Sequence, residues 1–382
     1  MSYINFEDLI SPFKLSDFID NFYSQKYLHI KRKNPDFYAK MYSLLKFDKT
    51  LNNNIHTPKY LKLAKCDESI DFRKYSNFDK YNNEHIISID DIFEKFKEGY
   101  SIVLDGLSRI ERNILNFEKD IMENIPFIDF ISSNVYLTPE NNQAFPLHYD
   151  TQEVFIIQIY GSKIWELYPG IEKLYPVDYS YDSLLVDLEH NTPQKITLNQ
   201  GDLLYLPRGY AHKVYSEKNS LHITVSIYPF TNRDIAREIL ESIIKSEPFF
   251  TKTLTSNVNI IQDKLIEEVK KYTVKSSILN IREKNKGNKY SSRDLYLNSL
   301  LELDIQNSDQ YYFMRKQVVM EPLDNSTEFR HNNKVIVLEG DYSFLNNLEI
   351  FRLNDLYHYL KKDLAEEFIY YMITEGFFVN VV

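Results

Sequence analysis

His148, Tyr149 and Asp150 stand inside an otherwise apolar, strand-like run, "NVYLTPENNQAFPLHYDTQEVFIIQIYGSKIW" (residues 134–165). On a strand, residues two apart face the same side. His148 and Asp150 therefore aim an imidazole nitrogen and a carboxylate oxygen at one point, with Tyr149 turned away. Two ligands hold a divalent ion weakly. His212, 64 residues further on in "PRGYAHKVY", where a Pro-Arg-Gly turn enters a strand, is the natural third. Two histidines and one carboxylate on one face leave three positions of an octahedral ion open, the arrangement of non-haem iron(II) oxygenases. A His-X-Asp triplet by itself is more often a surface ion pair; the strand context and the third ligand together carry the reading.

A cation belongs with this set. Lys163 follows the Gly161-Ser162 turn and shares a strand face with Trp165 and Leu167. Burying an ammonium is costly unless an anion meets it. A dicarboxylate co-substrate would chelate the metal with one end and pair with Lys163 at the other. Without the triad, Lys163 reads as a surface lysine at a hairpin tip. Zinc hydrolysis is the rival metal chemistry, but there is no His-Glu-X-X-His and no evident general-base glutamate in the motif. His29, His56, His85, His190, His331 and His358 show no ligand spacing; His222 shares parity with Thr224 and Ser226 and reads first as a satisfied core histidine.

The elements that must position these residues change character along the chain. Residues 1–127 read as a mixed α/β lead-in: a helix in "FKLSDFIDNFYSQ" with Ser16 as one N-cap, a strand in "KYLHIKRKNPDFY", and a helix closed by Gly99 before the strand Tyr100 to Leu104. Residues 128–230 are short apolar runs broken by turns, as in a barrel or sandwich. "EVFIIQIY" and "KIWELYP" around Gly-Ser read as a two-residue hairpin. After Pro229 helices return, with Ile235, Ile239 and Ile243 on one stripe stopped by Pro248, then "IIQDKLIEEVKKY". "NIREKNKGNKYSSRD" reads as a linker or exposed loop. Residues 296–382 read as helix, strand ("KVIVLEG"), short helix, longer helix and terminal strand, a winged-helix-like order.

Bulk properties bound the partners. With 382 residues, two or three domains are expected. The net charge of −10 argues against non-specific nucleic-acid binding. The winged-helix-like segment is itself acidic, with seven Lys/Arg against fourteen Asp/Glu over residues 301–382, so it reads as a packing or protein-interaction module rather than a DNA binder. Thirty Tyr and 25 Phe reflect either compositional bias or aromatic cores and a peptide cleft. The single cysteine, Cys66, excludes an intramolecular disulfide and a cysteine zinc cluster. "MSYINFEDLI" lacks signal-peptide character and no apolar run is long enough to span a membrane, so the expected location is the cytoplasm.

The joint occurrence of Asn-Val-Tyr-X-Thr-Pro, His-Tyr-Asp, Gly-X-Lys-X-Trp, Gly-Asp-Leu-Leu-Tyr-X-Pro-Arg-Gly-X-X-His and His-X-Thr-X-Ser, in that order, closely resembles the JmjC-type 2-oxoglutarate oxygenases, and within them the ribosomal oxygenase (cupin-like) branch. The resemblance implies a mainly β fold with α: a double-stranded β-helix (jelly-roll, cupin) core over 128–230, a helical dimerisation region over 231–295, and a winged-helix-like domain over 296–382. It implies Fe(II), 2-oxoglutarate and O2 as cofactor and co-substrates, a homodimer, and hydroxylation of a His or Arg side chain in a ribosomal protein. Carried over by motif position, His148, Asp150 and His212 would bind the iron. Lys163, with Asn134 and Thr224, would bind 2-oxoglutarate, and Tyr136 and Ser226 would line the substrate pocket. Two features depart from or qualify the pattern. Thr151 replaces the usual acidic residue after His-X-Asp, and Lys163 fits the histidine-hydroxylating members better than the arginine-hydroxylating ones. The same chemistry on a precursor peptide, another protein or a tRNA base, N-methyl demethylation, and a non-catalytic binding barrel are the alternatives.

Overall fold

Strand parity decides which side chains point inward in the barrel region. The computed structural model describes residues 4–53, 60–66, 68–125, 127–168, 191–253, 259–271, 311–314, 318–331, 334–348, 351–375 and 377–381. The chain divides into two compact units, Met1–Thr231 and Asn232–Val382. In the first, the described residues from Ile128 to Pro229 form seven strands. Numbering strands along the chain, with β1 to β6 in the lead-in described below, they are β7 (Ile128–Thr138), β8 (Glu153–Tyr160), β9 (Ser162–Tyr168), β10 (Gln194–Asn199), β11 (Leu203–Leu206), β12 (Ala211–Tyr215) and β13 (Ser220–Pro229).

These strands make two facing sheets. One contains β11-β8-β13-β7 in that order and the other β10-β9-β12. Isolated antiparallel bridges, Asn142 to Ser216 and His148 to His212, lay the segment before β8 along the free edge of β12. The result is the double-stranded β-helix expected from the sequence. β8 is buried on both faces because each has its own apolar cluster. Val154 and Ile156 point between the sheets toward Trp165, Leu167, Leu198 and Leu204. Phe155 and Ile157 point the other way, into the core shared with the N-terminal helices.

The lead-in is woven into the same sheet rather than packed beside it. β1 (Leu28–Ile30) pairs with β11, while β2 (Leu61–Lys65), β3 (Glu68–Ile70) and β6 (Ser101–Leu104) extend the sheet beyond β7. β4 (Ser76–Asp79) and β5 (Glu84–Ile87) form a separate pair. Helices cover the outer face: 6–10, capped by the reciprocal Asn5–Asp8 box; 89–97, where the Ser88 hydroxyl accepts the Asp91 N–H; and 112–124.

Three expectations are corrected. Ser16 is not an N-cap: the cap of the helix Leu15–Asn21 is Lys14, two residues earlier, whose side chain carries no oxygen acceptor. The strand read in "KYLHIKRKNPDFY" is only Leu28–Ile30: the Arg32 backbone N–H donates to the Asp202 carboxylate at 2.8 Å instead of continuing the ladder. The Gly161-Ser162 turn does not make a hairpin, since β8 and β9 belong to different sheets. Gly161, at φ +65, turns the chain from one sheet to the other, and a Cβ there would lie 2.0 Å from the Asn219 carbonyl oxygen.

In the second unit, helices Asn232–Ser246 and Asn259–Val269 come first. The "NIREKNKGNKYSSRD" segment lies outside the described residues. The following module is richer in strand than the sequence reading. β14 (Tyr311–Met314), β15 (Val319–Pro322) and β16 (Ser326–His331) precede β17 (Lys334–Glu339), the first of the two strands expected there. β15-β16-β17 form one three-stranded sheet. β14 sits between β18 (Phe351–Arg352) and β19 (Phe378–Val381) in another. Helices 353–356 and 362–374 complete a core around Phe329, Phe368, Met372 and Phe378.

Candidate active site

A cavity of about 380 Å³ opens between the two sheets. Its lining takes every second residue from 148 to 156, namely His148, Asp150, Gln152, Val154 and Ile156; the last two lie on β8, and the first three on the extended segment before it, which is bridged to β12 at His148. The facing wall comes from Lys163 and Trp165 of β9 and His212 of β12, with Asn134 and Tyr136 of β7 and His222, Thr224 and Ser226 of β13 beside it.

One ligand atom from each of His148, Asp150 and His212 lies within 4.8 Å of the other two. The backbone makes this convergence. His148 N–H donates to the His212 carbonyl at 3.1 Å and His212 N–H returns the bond at 2.7 Å, so the two histidines are opposite each other. Gly209 N–H donates to the Asp150 carbonyl at 2.8 Å, which ties the Pro-Arg-Gly turn to the same segment. The ring orientation is equally determined. His148 Nδ1 donates to the Pro146 carbonyl and His212 Nδ1 to the Tyr210 carbonyl, both at 2.8 Å. A carbonyl only accepts, so both protons sit on Nδ1 and both Nε2 lone pairs are left for a metal. Burial pushes His212 down to about 4, reinforced by the neighbouring His148; it is neutral at pH 7, the form that ligates. The set fits a divalent cation.

At the closed end Lys163 is fully enclosed. Its ammonium donates to Thr138 Oγ1 at 2.9 Å and to His222 Nδ1 at 3.3 Å. Among the described residues no carboxylate pairs with it, and burial brings its pKa down to about 7. Trp165 Nε1 is a second buried donor in the same wall without a partner among the described residues. A cation and a donor awaiting an acceptor fit an anionic, oxygen-rich ligand. Asn134 Oδ1 accepts Gly106 N–H at 2.9 Å, and Thr224 is its cross-strand partner on β13. Tyr136 stacks on His222, ring centres 4.8 Å apart at 6°, and burial pushes its phenol up. Ser226 lies nearer the Tyr228 end of β13, opposite Ser132 and Val154.

All the residues singled out from sequence thus reach one cavity. His222 and Gln152, given no site role from the sequence, do so as well. His222 lines it rather than lying in a satisfied core, and accepting from Lys163 puts its own proton on Nε2. Gln152 donates to Asp150 Oδ1 at 3.3 Å. Their parity, two residues before Thr224 and two after Asp150, is the sequence signal for both.

Over residues 111–235 the chain matches the JmjC domain. It is 33% identical over 225 residues to the bifunctional lysine-specific demethylase and histidyl-hydroxylase NO66 of Dictyostelium discoideum, covering 58% of this chain and 42% of that protein. It is 29% identical over 235 residues to ribosomal oxygenase 2 of Mus musculus, covering 58% and 47%. The chain thus spans less than half the length of these curated relatives. Among solved structures it is similar to YcfD, a ribosomal oxygenase from Escherichia coli in complex with cobalt and succinic acid. The TM-score is 0.55 at 12% identity, over 97% of this chain and 99% of that one. The complex of YcfD with cobalt and 2-oxoglutarate gives 0.53. At that identity the likeness establishes a shared fold.

Proposed function

We infer, for a chain whose residues 111–235 are a JmjC domain, that the protein is an Fe(II)- and 2-oxoglutarate-dependent oxygenase that hydroxylates a side chain of a protein, with a ribosomal protein as its target. The observation that carries this is the pairing of two features in one cavity: the His148–Asp150–His212 set with both Nε2 lone pairs free, and the enclosed Lys163 ammonium that no described carboxylate meets. The complexes of YcfD with cobalt and 2-oxoglutarate support the choice of metal and diacid.

In this reading His148 Nε2, Asp150 and His212 Nε2 hold iron. Lys163, aided by Asn134 and Thr224, holds the distal carboxylate of 2-oxoglutarate. When bound, iron(II), 2-oxoglutarate and O2 supply the oxidising chemistry, leaving succinate, CO2 and one oxygen atom on a C–H bond. The chain's own work is positioning. The two Nδ1–carbonyl bonds fix the imidazole planes, Lys163 and His222 fix the diacid end, and Val154, Ile156 and Trp165 keep water from the wall between. Tyr136 and Ser226 supply hydroxyls to the substrate side chain, and the names of the curated relatives favour histidine as that side chain.

The protein works as a homodimer through the helices of residues 232–269, whose exposed Leu240, Ile244, Ile260 and Ile266 support an interface. A cytoplasmic location accords with the free, exposed Cys66; among the described residues no helix is long and apolar enough to cross a membrane.

The test measures succinate release from 2-oxoglutarate and the mass of ribosomal proteins incubated with the enzyme. We expect the gain of one oxygen atom on a histidine. Loss of a methyl group instead would favour the demethylase activity also named for the NO66 relative. His148→Ala and Asp150→Ala should each abolish turnover with the fold intact; full turnover in either, with metal present, rejects the triad.

A further inference from the structure

We propose that Gln152, hydrogen-bonded in turn to Thr151, is a positioning residue for the Asp150 carboxylate, holding it as a single-oxygen metal ligand. The proposal rests on the reading of His148, Asp150 and His212 as a metal site and adds to it a part that those three do not contain.

Asp150 has two oxygens, and only one is needed in an octahedral site that must keep three positions open. Asp150 Oδ2 faces His212 Nε2 at 3.8 Å. Asp150 Oδ1 is turned away and accepts the Gln152 side-chain N–H at 3.3 Å. A carboxylate free to rotate would present both oxygens to a cation and occupy one more position. The bond from Gln152 opposes that rotation.

Gln152 would serve only if its amide nitrogen, not its oxygen, faced Asp150. The carboxylate decides this, because it only accepts and so takes the NH2 group; Gln152 Oε1 is then left to accept the Thr151 hydroxyl at 3.2 Å. The reverse orientation would set an amide oxygen against a carboxylate oxygen. The relay from Thr151 hydroxyl to Gln152 amide to Asp150 carboxylate is therefore directional. The Gly209 N–H bond to the Asp150 carbonyl at 2.8 Å holds the backbone at the other end. Gln152 lines the cavity wall two residues beyond Asp150, immediately before β8 begins at Glu153. Thr151, the residue that departs from the acidic pattern at this position, thereby acquires a role.

The experiment compares metal binding by the full-length apo-protein, titrated with Co(II) alone and followed by its visible absorption, for wild type, Gln152→Leu, Thr151→Val and Asp150→Ala. Thermal unfolding of each apo-protein is recorded alongside. Removal of a hydrogen bond to a metal ligand weakens affinity by about 10–100-fold. Gln152→Leu should fall in that range with an altered Co(II) spectrum and an apo Tm like wild type. Thr151→Val should weaken binding in the same direction by less. Wild-type affinity and spectrum in Gln152→Leu, while Asp150→Ala loses the metal, overturns the relay and leaves the triad standing. So does a lowered apo Tm without a spectral change in Thr151→Val. Unchanged Co(II) binding in Asp150→Ala sinks the metal site and this inference together.

Discussion

Lys163 is the residue whose chemistry reaches furthest. Burial holds its ammonium down at about 7, whereas the unfolded chain carries a lysine near its ordinary ~10.4. Between about 7 and about 10 the unfolded state therefore binds more protons than the ligand-free native state. Stability then rises with pH across that window, by up to about 1.4 kcal/mol per unit. The diacid selects the charged form. Its affinity should accordingly drop by as much as about tenfold per pH unit above 7, with a proton taken up on binding. Lys163→Met removes both dependences: urea unfolding of the apo-protein loses that slope between pH 7 and 10, and KM for 2-oxoglutarate rises and flattens with pH. A variant that kept the wild-type pH profile would show that another group titrates. His222 is bound into the same argument, since it is buried, held neutral by burial with Lys163 adding to the effect, and accepts a hydrogen bond from the ammonium; it cannot serve as the counter-charge.

At the level of elements, the turn between β8 and β9 is the most constrained point of the barrel. Gly161 adopts φ +65 and lies against the Asn219 carbonyl, which a Cβ would meet at 2.0 Å. The obstacle is backbone, so it does not swing aside. Gly161→Ala should cost on the order of 3 kcal/mol or more, lowering Tm by several degrees at least. A Tm within a degree of wild type would show that the corner relaxes. The same corner marks where the sequence misleads. Two apolar runs around Gly-Ser look identical whether the strands pair or part, because what separates them is a contact from Asn219, far along the chain. The pairs His148/Asp150 and Lys163/Trp165 were legible for the opposite reason, since each follows from period-2 parity; His212 joins them through its backbone pairing with His148. Asn134, Thr224, Tyr136 and Ser226 required the family resemblance as well. β14, β15 and β16 escaped notice because "YYFM", "VMEP" and "STEFRH" are short and their alternation is broken by Pro322 and by charged residues.

Taken over the whole molecule, the cavity and the exposed apolar helices lie in separate parts of the chain. Every residue lining the cavity lies between 134 and 228, inside the unit Met1–Thr231. The exposed apolar side chains of the post-barrel helices lie beyond it. Leu240 and Ile244 are one turn apart on the helix Asn232–Ser246, and Ile260, Ile261, Ile266 and Val269 are exposed on Asn259–Val269. These two helices pack on each other, yet both keep such residues uncovered, and an exposed apolar set of this size favours association. Leu240→Lys with Ile244→Lys places two charges where a second copy would have to bury them, at a cost of several kcal/mol each unless they find partners. Light scattering should report a dimer for the wild-type chain and a monomer for the double variant. Because the cavity and its ligands are drawn from the other unit, the monomer should bind Co(II) as the wild type does. A double variant that remains dimeric would move the interface elsewhere, and one that loses metal would show that the barrel depends on its partner.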